Sequence, residues 1–205
     1  MLSQGTRRGA LVDVVITRGA IASTQRGQRV ASVAREAALA VLGVVALAIS
    51  AHIIIPLPFT PVPVTGQTFA VLLLGAAYGA RRGVASVVLY LLAGAAGLPV
   101  FAAVAGAASY GYLIGFAVAA FIVGWLADRG WGRGLPTSIA AMLVGEVAIY
   151  ACALPWLARF VGWNHVIALG LTPFLVGDAY KLVAAALLLP AAWLATRRII
   201  GEEPR

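Results

Sequence analysis

Ile55-Pro56-Leu57-Pro58-Phe59-Thr60-Pro61-Val62-Pro63-Val64-Thr65 sets four prolines within eight residues. Each proline lacks a backbone N–H and clashes with the turn before it, so the stretch cannot be regular helix, and it is too apolar for an ordinary solvated loop. An apolar segment from Gln67 to Gly79 follows at once. About 13 residues rising about 1.5 Å each reach only about 20 Å, short of a hydrocarbon core about 30 Å thick. Irregular backbone is tolerated at membrane depth only where protein buries it or where it lines a cavity. The proline stretch is therefore expected to fold back into the protein and line a cavity open to the outside. The competing reading is an interfacial proline turn with no ligand.

The rest of the chain justifies speaking of a membrane. Of its 205 residues 62% are hydrophobic and 11% charged, with a mean hydropathy of +0.97, outside the usual range of water-soluble domains. Gly, Pro and Arg clusters divide the apolar sequence into six segments, roughly Arg35–Ile54, Gln67–Gly79, Val84–Leu98, Gly111–Ala127, Thr137–Leu157 and Pro173–Thr196. If six helices alternate across the bilayer, one face receives the termini and the second and fourth loops, and with them 13 of the 15 basic residues. Only Arg159 falls on the other face, and Lys181 lies within a span. The positive-inside rule then puts both termini in the cytoplasm of a multi-pass plasma-membrane protein. The formal charge of +8 is thus a topology signal; with no basic stretch interleaved with exposed aromatics, nucleic-acid binding is excluded. The lone Cys152 can form no intrachain disulfide.

These observations predict an all-α membrane protein: a compact bundle of six transmembrane helices over residues 31–198, with the Pro-rich first loop folded into an extracellular-side pocket. A basic cytoplasmic tail, expected to be disordered, occupies residues 1–30. A short cytoplasmic tail occupies residues 199–205.

Three ionisable side chains stand inside the apparent spans: Glu146, Asp178 and Lys181. Each costs about 2.5–3.5 kcal/mol at a helix centre on insertion scales. Asp178 and Lys181, three residues apart, share a helix face and can pair. Replacing a buried pair by apolar residues is often neutral or stabilising, so recognition of a polar ligand explains the pair better than stability does. Lys181 is also the only lysine, so no Gly-Lys dipeptide and no P-loop for ATP hydrolysis exists. His52 and His165, both near outer helix ends, offer neither a catalytic constellation nor metal-ligand spacing. The chain is not expected to be an enzyme.

Four blocks carry a resemblance to a known family: Pro61-Val62-Pro63-Val64-Thr65-Gly66-Gln67-Thr68, Gly97-Leu98-Pro99-Val100-Phe101, Gly111-Tyr112-Leu113-Ile114-Gly115-Phe116, and Gly177-Asp178-Ala179-Tyr180-Lys181. In this order and spacing, from about residue 35 to 196, they resemble the BioY family, the biotin-binding substrate-capture (S) components of energy-coupling factor (ECF) transporters. The resemblance implies biotin as ligand, no cofactor, and an extracellular-side pocket using Asp178 and Lys181. Asp178 would accept from the ureido N–H groups, and Lys181 would either pair with the biotin carboxylate or donate to the ureido carbonyl. Thr65, Gln67 and Thr68 would add polar contacts, with Tyr110 and Tyr112 walling the thioether body. It also implies partners, a transmembrane coupling protein and ATPases, docked on a small-residue stripe whose nearest match is Ala34 and Ala38.

This sequence departs from the family pattern in three places. Only Ala102 to Tyr110 stand where many relatives carry a longer glycine-rich insertion, Val176 replaces a frequent proline, and Glu146 replaces a neutral polar residue. With biotin bound, Glu146, Asp178, Lys181 and the biotin carboxylate would sum to minus two if all were ionised, so Glu146 is expected either to be protonated or to face elsewhere. The leading rival is a self-sufficient secondary transporter with Glu146 as an intramembrane proton site, though no inverted repeat is detectable. An intramembrane enzyme or a structural scaffold completes the alternatives.

Overall fold

The computed structural model describes the backbone of residues 25–200 and the side chains of residues 30–196. The first helix, α1, spans Gln25–His52, so its opening turns take in residues 25–30, which composition assigned to the tail. The rest of that tail, and residues 201–205 of the C-terminal one, lie outside the described residues. Five helices in this range are long and apolar enough to cross a membrane.

At its end α1 is closed locally: the His52 ring bonds the Ala48 carbonyl at 2.7 Å and the Ser50 hydroxyl donates to Leu47 at 2.8 Å. The proline stretch then leaves and returns as a small antiparallel ribbon, β1 (Ile54–Ile55) on β2 (Val64–Thr65), with Ile54 opposite Thr65 and Ile55 opposite Val64. Gly66 N–H donates to both Ser50 and Ile53 carbonyls at 3.1 Å, which fastens the returning strand to the end of α1. The loop between the strands is not solvated coil. Val62 is buried, and Thr60 Oγ1 donates 2.7 Å to the Leu169 carbonyl of a distant element.

Helix α2, Gln67–Ala95, is broken at Gly79, whose φ of 80° and ψ of 174° are open essentially to glycine alone. The break reverses the chain. Gln67 Nε2 donates to Tyr90 Oη at 2.8 Å, although 23 residues along a straight helix would separate them by about 34 Å. A Cβ on Gly83 would sit 3.1 Å from the Gly75 Cα, so glycines let the two arms touch along their backbones. The arms, residues 67–78 and 80–95, are the second and third of the six expected spans, and the first is indeed short. The turn is tighter than expected: the second arm begins at Ala80, with Arg81 and Arg82 already helical, because Asp128 Oδ2 accepts the Ala80 N–H at 3.1 Å and caps that arm. Its far end closes on Gly97, φ 87°, with Gly97 N–H bonded to Gly94 and Leu98 N–H to Ala93, the paired bonds of a Schellman stop.

A 3₁₀ turn at Ala107–Ser109 leads into α3, Tyr110–Asp128. Helix α4 spans Leu135–Val161, the short α5 spans Val166–Gly170 and α6 spans Leu175–Ile200. Small residues again set the spacing: a Cβ on Gly115 of α3 would lie 2.8 Å from the Ile149 carbonyl oxygen of α4. The buried core gathers Leu72, Val87, Phe116, Val123, Met142 and Ile149 between these helices. Large apolar side chains such as Leu92, Phe121, Val147 and Leu187 point outward, as a lipid-facing surface requires.

Candidate functional site

Five pieces of chain converge on one cavity: the returning proline stretch, the start of α2, residues 101–109 with the start of α3, the middle of α4, and the start of α6. The concavity holds about 570 Å³ of non-atom space, its open mouth included. Val62 and Pro63 form part of its wall, so the proline stretch lines a cavity as its composition predicted.

Asp178 lies in the first turn of α6, where the helix N-terminus favours a negative charge. The residue is 6% exposed, and its carboxylate is almost saturated. Oδ1 receives Lys181 Nζ at 3.0 Å and the Thr68 hydroxyl at 3.4 Å, and Oδ2 receives the phenol of Tyr150 from α4. Lys181 Nζ also donates to Thr68 Oγ1 at 3.0 Å. These bonds use two of the three ammonium donors and leave a third. The i, i+3 spacing thus forms the expected ion pair, and it does so on the cavity wall, where a ligand can compete for its partners.

A second polar chain runs beside the first. Thr65 Oγ1 donates to Gln67 Oε1 at 3.1 Å, Gln67 to Tyr90, and Tyr90 to the Val100 carbonyl at 3.1 Å. The latter bonds hold the loop after α2 against the cavity. Between the polar groups the walls are aromatic. Tyr112 stands edge-on to Tyr150, ring centres 6.2 Å apart, and 6.0 Å from Phe174, while its phenol donates to the Gly170 carbonyl. Phe101 and Phe116 complete the apolar lining. A flat, largely apolar molecule with a polar group at the Asp178–Lys181 end matches these walls.

Six of the residues singled out in the sequence therefore meet here: Thr65, Gln67, Thr68, Tyr112, Asp178 and Lys181. Two stand apart. Tyr110 is 47% exposed and packs outward on Trp156, ring centres 6.5 Å apart. Glu146 is buried but lines a separate groove between α4 and α6, on the far side of Tyr150 and Asp178; of the two expectations for it, facing elsewhere matches the geometry. Ala34 and Ala38 are exposed together on the outer side of α1. The sequence reading missed Tyr150 and Ser109. Tyr150 is four residues after Glu146 on one helix face, a spacing that could have drawn attention to it. Ser109 is buried in the cavity wall with its hydroxyl unpartnered among the described residues.

The sequence profile of the BioY family matches residues 22–198. The chain belongs to the BioY family. A probable biotin transporter BioY from Pyrococcus horikoshii is 37% identical over 161 residues, covering 76% of this chain and 94% of the relative. A biotin transporter BioY from Thermotoga maritima is 38% identical over 141 residues, covering 65% and 82%. The crystal structure of the S-component for biotin from an ECF-type ABC transporter is similar with a TM-score of 0.64 and 22% identity, over 83% of this chain and 94% of that one. At that identity the likeness shows the shared fold. As a BioY-family member with five long apolar helices, one of them folded into a hairpin, the chain is a multi-pass membrane protein. The loop after the helical hairpin of this BioY chain reaches the cavity through Phe101, Ala102, Ala105 and Ser109.

Proposed function

We propose that the protein captures biotin in this cavity, as the membrane-embedded substrate-binding subunit of an ECF-type transporter. The observation that carries the proposal is the Asp178–Lys181–Thr68 cluster, with Tyr150 behind it, at the polar end of an aromatic cavity. Biotin offers matching groups: a ureido head with two N–H donors and a carbonyl acceptor, a thioether body, and a carboxylate tail. Oδ2 of Asp178 retains acceptor capacity for a ureido N–H, and the free donor of Lys181 suits either the ureido carbonyl or the carboxylate. Tyr112, Phe101 and Phe116 would flank the apolar body. The names of the relatives support biotin over other ligands of similar shape.

In this reading the cavity mouth faces outward and both termini are cytoplasmic, as the distribution of Arg residues supports. The coupling protein and ATPases of the transporter supply the energy, and the exposed Ala34–Ala38 stripe of α1 is the surface on which the coupling protein docks. The test is equilibrium titration of the detergent-purified protein with biotin, without partners or ATP. Saturable tight binding is expected. Absence of binding by the folded protein would overturn the proposal.

A further inference from the structure

A groove opens between α4 and α6 beside the ligand cavity. Its walls are apolar, Leu143 and Val147 from α4 facing Leu175 and Leu182 from α6, and Leu143, Val147 and Leu175 are half or more exposed on the lipid-facing side. Glu146 sits among them, 7% exposed, with neither carboxylate oxygen partnered among the described residues. Tyr150 and Asp178 line both the groove and the ligand cavity. They form the partition between Glu146 and whatever occupies the site.

The surroundings give an ionised Glu146 little support. The titratable groups near it are Tyr150 on its own helix, with Tyr112 of α3 packed edge-on against that ring, and Asp178 and Lys181 of α6. Both Lys181 bonds and all three Asp178 side-chain bonds are made within the cavity cluster, so the one nearby cation among the described residues already answers to another carboxylate. The groove walls contributed by α5 and its flanking loops, Trp163, Val166, Ile167 and Leu171, carry no titratable group. The Asp178–Lys181 pair is neutral as a unit. A carboxylate-bearing ligand brings one uncompensated negative charge, and an ionised Glu146 would be a second across a thin, low-dielectric wall.

We propose that Glu146 is a proton-binding site coupled to ligand capture, so that an anionic ligand binds together with a proton held on Glu146. The coupling rests on the capture of biotin proposed above and adds a bound proton to it. By linkage it works in both directions: protonated Glu146 strengthens ligand binding, and bound ligand holds the proton more tightly. Affinity is therefore highest at low pH and falls as pH rises through the titration of Glu146, at most tenfold per pH unit because one proton is involved.

The test is biotin titration calorimetry on the purified full chain from about pH 6 to about pH 9, in two buffers of different ionisation enthalpy, with Glu146→Gln beside the wild type. The wild type is expected to weaken by at least about fivefold over that range and to take up protons on binding wherever its affinity is changing. Glu146→Gln is expected to bind with a flatter profile and to lose that uptake, whereas an uptake arising elsewhere in the protein would persist in it. Biotin binding by the wild type with no proton uptake at any pH overturns the coupling, and this result needs no variant. Identical pH profiles in wild type and Glu146→Gln also overturn it. Failure of the folded wild type to bind biotin at every pH overturns the ligand reading, and the coupling with it.

Discussion

Replacing Lys181 by methionine keeps most of the side-chain volume and deletes the ammonium. The structure divides the consequence into two parts. In the unliganded protein Asp178 loses its 3.0 Å ion pair and keeps the Thr68 and Tyr150 hydrogen bonds. Its carboxylate is then a buried charge without a counter-ion, and breaking such a pair costs about 3–5 kcal/mol of stability, nearer the lower figure here because two donors remain. In the complex, the ligand loses one charge-assisted hydrogen bond, worth about 1.5–3 kcal/mol. At about 1.4 kcal/mol per decade, that weakens biotin binding by about 10- to 150-fold. The assay is biotin titration alongside thermal unfolding in the same detergent. The double variant Asp178→Asn/Lys181→Met removes both charges and is expected to recover most of the lost stability without recovering affinity, a non-additivity that identifies the pair as the cause. A Lys181→Met protein that binds biotin within about twofold of wild type would refute the placement of Lys181 against the ligand.

Tyr150→Phe removes one donor from Asp178 Oδ2 while leaving the ring contact with Tyr112; biotin affinity is expected to fall by about tenfold in titration, and an unchanged affinity would show that Tyr150 does not position the carboxylate. Gly79→Val forces a branched side chain into a backbone conformation open essentially to glycine. That strain costs about 1–3 kcal/mol and should lower the unfolding temperature by about 2–4 °C per kcal/mol in a scanning assay; an unchanged melting temperature would mean the hairpin turn tolerates a Cβ. Ala34→Trp places a bulky ring on the exposed face of α1, so biotin titration of the isolated protein should be unaffected while energised uptake with the coupling protein is lost; loss of binding in the isolated protein would tie that face to the pocket instead.

The path of the chain through the bilayer was legible because it rests on terms that sequence expresses directly. A membrane span needs a minimum apolar length, so the shortness of Gln67–Gly79 demanded a second element at the same depth, and the prolines beside it supplied one. What length could not show is how sharply the chain turns at Gly79. A glycine between helices is compatible with a kink, a loop or a reversal, and the choice is made by non-local contacts, Gly75 against Gly83 and Gln67 with Tyr90. The start of α1 at Gln25 was hidden for a related reason: polar residues end an apolar run in the sequence without ending a helix.

At the site, charges were easy to read and uncharged partners were not. Asp178 and Lys181 stood out because an ion inside a span is costly wherever it points. Tyr150 carries no such warning, since a tyrosine is as suitable for a lipid-facing or core position as for a ligand wall, and only the proximity of α6 makes its hydroxyl a donor to Asp178. The same argument separates Tyr112 from Tyr110. Two residues apart on α3, they differ by about 200° around the helix axis. One is therefore delivered to Phe174 and Tyr150 inside and the other to Trp156 at the surface. Sequence placed both near one end of the same helix; position along a helix does not say which way a side chain faces. Glu146 follows the same geometry. Four residues before Tyr150, it is turned about 40° from it around the axis, enough for Tyr150 to meet Asp178 in the wall of the cavity while Glu146 lines the neighbouring groove, buried and with no hydrogen-bond partner among the described residues.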